Sequence, residues 1–324
     1  MADLPQHHTP TGFRNSELVG RSRGGIFKWY LERWRKGLPH VPAGGWRFDC
    51  VTPDVAWLRS NREVRALTWI GHASFLVQWD GVNLLTDPHL TARASPLRFA
   101  GPRRLQPPAL DFHHLPHIDA VVISHNHHDH LDETTVRRLA AQPTGSPRFF
   151  VPLGLKAWFS GRGIGDVVEL DWWQSLEFRG LRFTFTPAQH WSGRALGDWN
   201  RSLWGGWRVD GGSSLFFAGD TGYSGDFLEI ARRLGPVDMA LLPIGAYEPR
   251  WIMKVMHVDP EEAVRIHQDL QARQSLAMHW GTFMLTDEPM DEPPRRLAAA
   301  LRAAGIAPDR FLVPRHGETI RVHA

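Results

Sequence analysis

Cysteine is almost missing from this sequence: Cys50 is the one thiol among 324 residues. A lone thiol closes no internal disulfide, so nothing points to an oxidising compartment, and a cytoplasmic location is the expectation. Runs of about 18 uncharged apolar residues are also missing, which excludes a membrane-spanning helix. The N-terminus has no apolar stretch of the kind found in a secretion signal. Nor is there a large charge of either sign. With 37 Lys and Arg against 34 Asp and Glu the net charge is +3, which is no nucleic-acid signature. Repeats, low-complexity tracts and long linkers are absent too. One mixed α/β fold with a large core is the economical reading at this length.

What is plentiful is histidine, with 18 residues, and tryptophan, with 15. Tryptophan favours places where one end of the ring is dry and the other wet, such as large cores, ligand pockets and membrane interfaces. Residues 1–25 are polar, with Gly and Pro, and are expected to be poorly ordered. Residues 26–38 (IFKWYLERWRKGL) have helical periodicity, with Phe27, Tyr30, Leu31, Trp34 and Leu38 on one face and Lys28, Arg35 and Lys36 elsewhere. Such a basic, aromatic-faced helix either lies in a membrane interface or docks on the domain that follows it.

From Arg65 onward the pattern is strand-like. ALTWIG, SFLVQW and VNLLTDP read as strands, the last two joined by the two-residue turn Asp80-Gly81. Further strands are expected in IDAVVIS, RFFVP, VVEL, LRFTFTP, SSLFFAGD, DMALLPIG and SLAMHWG. Helices are expected at 134–141, 227–234, 260–272 and 294–304. The third has Asp259 as cap, Pro260 at the first helical position and Glu262 to complete a capping box.

The stretch ISHNHHDHLD, residues 123–132, directly follows a buried-looking strand and holds four histidines and two aspartates. Within it His125, His127, Asp129 and His130 form the pattern His-x-His-x-Asp-His. Neutral imidazole and carboxylate are ligand types that zinc takes. So many ligand-type side chains in one short loop are hard to explain as solvation alone. A loop leaving a strand can turn His125 and His127 toward one metal, and Asp129 and His130 toward a second, with His128 pointing away. Both coordination shells would still be incomplete. Three downstream strands each end in a candidate: His190 after TFTPAQ, Asp220 after SLFFAG and His279 after SLAM. Open α/β sheets collect their sites at such carboxyl ends. His113, His114 and His117 lie before the strand and read as a surface loop.

This order of ligands resembles the metallo-β-lactamase superfamily. The resemblance implies a four-layer αββα sandwich with a two-metal site at one edge of the sheets. By it, His125, His127 and His190 hold one zinc ion, Asp129, His130 and His279 hold the other, and Asp220 bridges them. Gly71-His72 matches an element near the floor of the site. Longer segments carry more, among them TWIGHASFLVQWDG, LLTDPHLTARASPLRFAGPRR, FFAGDTGY, LPIGAYEPRWIMKVMHVDPEEAVRIH, MHWGTF and RHGE. Together they closely resemble the N-acylphosphatidylethanolamine-hydrolysing phospholipase D family, collinearly from Thr68 to Glu318. Residues 1–60 resemble it only faintly and are set apart as an N-terminal extension from a hydrolase domain at 61–324.

The resemblance implies a phospholipase D-type zinc phosphodiesterase that cleaves N-acylphosphatidylethanolamine into N-acylethanolamine and phosphatidic acid. A hydroxide bridging two zinc ions would attack phosphorus, which makes Asp129 and Asp220 catalytic through the metals. His257, in MHVDP, matches a family histidine near the site. It would contact the phosphate or help protonate the leaving group; a helix-start histidine bonded to backbone is the alternative. Expected substrate contacts are His257, Trp191, Tyr247, Trp251 and Met253; the stretches that hold Trp191, Trp199, Trp204, Trp207 and Trp251 line an acyl groove or touch the bilayer, although a plain core role is the better reading of any single Trp. The basic run 93–104 reads equally as a contact for anionic head groups and as a solvated loop. The partner implied is a membrane phospholipid, with peripheral association on the inner face of a membrane and a homodimer as further expectations. No nucleic acid is expected. A lactonase-like enzyme or another phosphodiesterase of the superfamily, using the same zinc ions, is the alternative.

Overall fold

Segments buried on both faces carry near-continuous apolar runs, and those runs are where the strands form. The computed structural model describes residues 5–17, 25–97 and 99–322, with the side chain of Ile26 excepted. Expectations for residues 1–4 and 18–24, and for Arg98 of the basic run, lie outside the described residues.

Two seven-stranded sheets make up the body. The first runs Thr319–Arg321, Ala66–Gly71, Ser74–Trp79, Val82–Thr86, Ala120–Val122, Arg148–Pro152 and Val167–Leu170. The second runs Phe311–Leu312, Gln274–Met278, Met239–Pro243, Ser214–Phe217, Gly206–Asp210, Leu181–Thr186 and Ser175–Phe178. In the first, pairing is parallel from Val82–Thr86 to Val167–Leu170. In the second, it is parallel from Ser214–Phe217 to Phe311–Leu312. The remaining pairs are antiparallel, and the hairpin turn has positive φ at both Asp80 (48°) and Gly81 (84°), as a type I′ turn requires.

The period-two alternation of strands sorts each side chain to one face. Leu67, Trp69, Phe75, Val77 and Val122 point between the sheets and join Phe183, Phe185, Trp207 and Val209 in one core. Ile70, Leu76, Val121 and Ile123 point the other way, toward Leu58, Val136, Leu139 and Phe159 of the helices Val55–Ser60, Glu133–Ala140 and Lys156–Ser160. Helices Asp226–Leu234, Pro260–Asp269 and Glu292–Ala303 cover the second sheet through Phe227, Ile230, Val264 and Leu297. The outcome is the expected four-layer αββα sandwich. Large rings cross its middle: Phe150 stacks on Phe183 at 4.2 Å, and the Trp207 indole N–H donates to the carbonyl of Ile123 at 2.8 Å.

The four expected helices form, with the capping box of Asp259 and Glu262 in place. The third stops at Asp269, short of 272, because the chain turns through Gln271 at a φ of 50°. Four strands of these sheets come unannounced, among them the short Phe311–Leu312 and Thr319–Arg321 at the sheet edges. Ser175–Phe178 is an exposed edge strand without an apolar run, and Gly206–Asp210 begins inside a Gly-Gly pair.

The N-terminus departs most from expectation. Residues 5–17 are ordered and lie across the body as a strap, with His8–Thr9 paired to Gly12–Phe13. His7 and His8 each donate through Nε2 to one oxygen of Asp171, at 2.6 and 2.7 Å, and the His7 ring stacks on Trp172 at 4.3 Å. A polar, Gly-containing segment is thus held by charge-assisted hydrogen bonds to a distant carboxylate. The helix Gly25–Lys36 docks through Trp29 and Arg33, both bound to Asp287, and through Lys28 above the Trp251 ring. Its aromatic stripe faces outward: Phe27 is 75% and Trp34 81% exposed, with Tyr30 and Leu38 beside them. Among the described residues no helix is long and apolar enough to cross a membrane.

Burial alone would raise the Asp171 carboxyl, but the hydrogen bonds from His7 and His8 outweigh it and hold the group below its usual range. A depressed carboxylate stabilises the fold above the unfolded pKa and loses that contribution as pH falls through the folded one. Proteolytic release of the strap is therefore expected to rise in wild-type protein as pH drops through and below the carboxylate range. In Asp171→Asn, release should already be high at neutral pH and should change little over that range.

Candidate metal centre

The strand Ala120–Val122 of the first sheet delivers the loop 123–132, while Asp220 and His279 follow the carboxyl ends of Ser214–Phe217 and Gln274–Met278 in the second. His190 lies beyond Leu181–Thr186. All seven expected ligands meet at this common edge. Nε2 of His125 and Nε2 of His190 approach Nδ1 of His127 at 2.8 and 3.2 Å. On the other side Nε2 of His279 lies 3.2 Å from Nε2 of His130, and the two Asp220 oxygens lie 3.1 Å from these nitrogens. Asp129 is 3.4 and 3.5 Å from the same pair. Two groups result, His125/His127/His190 and Asp129/His130/His279 with His72, and Asp220 stands between them, 3.9 Å from Nε2 of His190.

Such ring nitrogens, crowded together at one edge, are an arrangement a cation would satisfy. The donors are imidazole and carboxylate, the set that suits zinc. The far side of most ligand rings is occupied, which fixes which nitrogen faces the centre. His190 donates through Nδ1 to the carbonyl of Met256 at 2.8 Å, and His130 donates through Nδ1 to Asp87 at 2.6 Å. Nδ1 of His125 meets the Ser124 hydroxyl at 2.8 Å, and that hydroxyl donates to Asp87. His72 donates through Nε2 to Asp129 at 3.0 Å.

Charge divides the ligands in two. Burial holds His127 and His190 down at about 3 and His125 well below its ordinary value, so these rings are neutral and ready to bind at pH 7. Burial also opposes charge on His130 and His279, yet Asp220 and Asp129 outweigh it. His130 is raised well above its usual value and His279 to about 9. The same rings hold Asp129 and Asp220 well below the carboxylate range despite burial. A bound cation would take over the role of these ring protons.

The backbone bends sharply here. His72, Asp87 and His279 have φ of 57°, 31° and 61°, conformations that cost about 1–3 kcal/mol each for residues other than glycine. The N–H of His279 donates to the carbonyl of His72, which ties two of these turns together. Before Asp220, Gly219 has a φ of 62°, and a Cβ there would lie 2.5 Å from Cβ of Ser124. No side chain fits between the two ligand loops.

Residues 82–280 match the profile of the beta-lactamase superfamily domain. The chain is 46% identical to the N-acyl-phosphatidylethanolamine-hydrolyzing phospholipase D 1 of Caenorhabditis elegans over 248 residues, 73% of this chain and 69% of that one. It belongs to that family of metallo-β-lactamase-fold proteins. The mitochondrial N-acyl-phosphatidylethanolamine-hydrolyzing phospholipase D of Saccharomyces cerevisiae is 37% identical over 78% of this chain, which spans 55% of the yeast protein. Among solved structures, an isothiocyanate hydrolase from Delia radicum gut bacteria shares the fold, with a TM-score of 0.64, 23% identity, and coverage of 80% of this chain and all of that one. Membership makes the chain a metal-dependent hydrolase.

Other expected residues are placed as follows. His257 has Nδ1 3.8 Å from Asp220 and its ring 5.1 Å from that of His190. Its peptide N–H bonds to Met253, but its ring faces the centre. Trp191 lies edge-on to His127 at 4.1 Å and stacks on Trp199 at 4.2 Å, whereas Trp204 and Trp207 are core. Trp251 is partly exposed and Met253 buried. Tyr247 is fully buried, and its hydroxyl donates to Glu292 at 2.7 Å, so that group is committed to a helix and not to the centre. Arg104, counted in the basic run, is buried under Phe283 and bound to the carbonyls of His89 and Thr91. His128 donates to the carbonyl of Arg194, away from the ligands.

Asp87 was not anticipated. It ends the strand Val82–Thr86 inside the motif TDP, an acidic residue at a carboxyl strand end, which was the available signal. Replacing a partner that orients a metal-binding imidazole typically costs 10–100-fold in affinity. Asp87→Ala should weaken metal binding by about that factor in a chelator competition, while Asp111→Ala, in an exposed loop, should leave it unchanged.

Proposed function

We propose that the chain is a two-zinc phosphodiesterase that hydrolyses N-acylphosphatidylethanolamine to N-acylethanolamine and phosphatidic acid. The observation that carries this reading is the convergence of all seven ligands in two adjoining groups, in a chain 46% identical to a relative named for that reaction. Two zinc ions, when bound, would polarise phosphate oxygens and make water a nucleophile near neutral pH. Water oxygen ends on phosphorus, the bond from phosphorus to the ethanolamine oxygen breaks, and a proton goes to that leaving oxygen.

The chain's own groups orient and exclude. His125, His127 and His190 would hold one ion and Asp129, His130 and His279 the other, with Asp220 placed between the two groups. Burial holds His257 down at about 3, so its ring is neutral at pH 7. It therefore serves as a hydrogen-bonding contact for a phosphate oxygen and not as an imidazolium acid. Beside the ligand loop lies a cleft of about 1080 Å³ whose walls include Arg93, Arg138, Arg162, Arg194, Trp158 and Leu97. Asp132, Glu133 and Asp198 line it as well and Glu133 pairs with Arg162 at 2.9 Å, so the cleft is a mixed-charge surface on the His128 side of the loop. The outward stripe of Phe27, Tyr30, Trp34 and Leu38, with Lys28, Arg35 and Lys36 close by, supports docking on an anionic bilayer.

Purified protein loaded with zinc is expected to release N-acylethanolamine from vesicles containing N-acylphosphatidylethanolamine. Hydrolysis of a lactone alone would overturn the reading. Asp220→Asn should lower turnover by about two orders of magnitude or more with an unchanged circular dichroism spectrum. The double variant Phe27→Ser, Trp34→Ser should reduce co-sedimentation with phosphatidylglycerol vesicles about tenfold or more, because each ring loses burial in the interface. Its turnover on a detergent-dispersed substrate should stay near wild type.

A further inference from the structure

Among the proposed ligands, His190 lies in the longest loop, next to Gln189, which bridges to Gly222. It stands four residues past the strand Leu181–Thr186, in a long loop that rejoins the sheet only at Gly206. Neither of its main-chain hydrogen-bonding groups is used by a neighbouring strand. Both go to one side chain from the other end of the chain. The N–H of His190 donates to Oδ1 of Asn15 at 3.0 Å, and Nδ2 of Asn15 donates to the carbonyl of His190 at 2.9 Å. The carboxamide thus pairs with His190 as a neighbouring peptide group would in a sheet.

The geometry of Asn15 is itself fixed. The indole N–H of Trp204, buried in the core, donates to the same Oδ1 at 2.9 Å, which settles the orientation of the amide. On the N-terminal side the strap is tied by Phe13 to the carbonyl of Asn200 and by His7 and His8 to Asp171. At Gly12 it passes so close that a Cβ would lie 2.0 Å from the carbonyl oxygen of Asn200. On the C-terminal side the Glu17 carbonyl accepts from the Gln189 side chain at 3.2 Å, and its carboxylate accepts from the N–H of Gly225 at 2.7 Å. Contacts therefore bracket His190 from Gln189 to Trp204. The imidazole is aimed separately, by the bond from Nδ1 to Met256.

We propose that the N-terminal strap is a working part of the metal centre and that Asn15 is a positioning residue for the ligand His190. The inference rests on His190 being a metal ligand. Asn15 holds the backbone of this residue at the register where Nε2 meets the nitrogens of His125 and His127, and Met256 sets the ring about that anchor. Loss of the carboxamide frees both main-chain groups of His190, and the ligand is no longer held in place before the ion arrives.

The test is zinc affinity of the full chain, by competition with a chromophoric chelator, beside metal content after gel filtration and circular dichroism of the metal-free protein. Asn15→Ala is expected to lose about 10–100-fold in zinc affinity, the cost typical of a group that orients a ligand, with an unchanged metal-free spectrum. Asn15→Asp keeps an oxygen for the two N–H donors but sets an oxygen against the carbonyl of His190. It should also lose affinity, and it decides the matter if the alanine variant does not fold. His190→Ala is the control for the underlying reading. If it binds zinc like wild type, His190 is no ligand and the proposal falls with it. If His190→Ala loses affinity while a folded Asn15 variant stays within twofold of wild type, the positioning role is overturned. A loss of affinity that tracks loss of the metal-free spectrum in both Asn15 variants would likewise overturn it in favour of a purely structural role.

Discussion

His130 is a fully buried imidazole with Asp87 at 2.6 Å from one nitrogen, and Asp220 and Asp129 at 3.1 and 3.4 Å from the other. Three carboxylates around one ring in a dry environment are stable only if positive charge accompanies them. That requirement organises the edge of the sandwich. It calls for cationic species at the centre, and it explains why the ligand loops approach so closely that Gly219 is needed beside Ser124. It also explains the left-handed backbone at His72, Asp87 and His279, which is the cost of directing three strand ends at one point.

The sandwich makes such convergence affordable. Both sheets are buried on both faces, so their parallel strands cannot shift register without moving a whole apolar set. The carboxyl ends of Ala120–Val122, Ser214–Phe217 and Gln274–Met278 are rigid mounts, and six of the proposed ligands follow them, the farthest in the short loop that runs into the helix Glu133–Ala140. Sites on strand ends hold their geometry better than sites on long loops. His190 lies in the longer loop 187–205, and there the strap supplies the main-chain partners.

Much of this was legible in the sequence because it is local. His-x-His-x-Asp-His records alternate side chains of one loop, and an apolar run ending in Asp220 or His279 records a buried strand and its tip. The hairpin at Asp80-Gly81 and the capping box at Asp259 are equally local signals. What escaped is non-local. Asn15 and His190 are far apart in sequence, and a polar segment containing Gly and Pro looks the same whether it is loose or strapped to a surface. The outward direction of Phe27 and Trp34 escaped as well. Periodicity identifies a face, and only packing against Asp287 and Trp251 shows which face is turned in. Tyr247 shows the reverse error: a motif draws attention to a residue whose hydroxyl is spent on Glu292.

The seven proposed ligands divide between the two sheets, four following the first and three the second. An ion bound there is a chelate whose arms belong to separate halves of the sandwich, much as a bolt passes through two plates. A donor freed from it would be held within reach of the ion by its own sheet, and the buried rings of Phe150, Phe183 and Trp207 hold the two plates together behind that edge. The residence time of a metal would then depend on packing between the sheets as well as on the donors themselves.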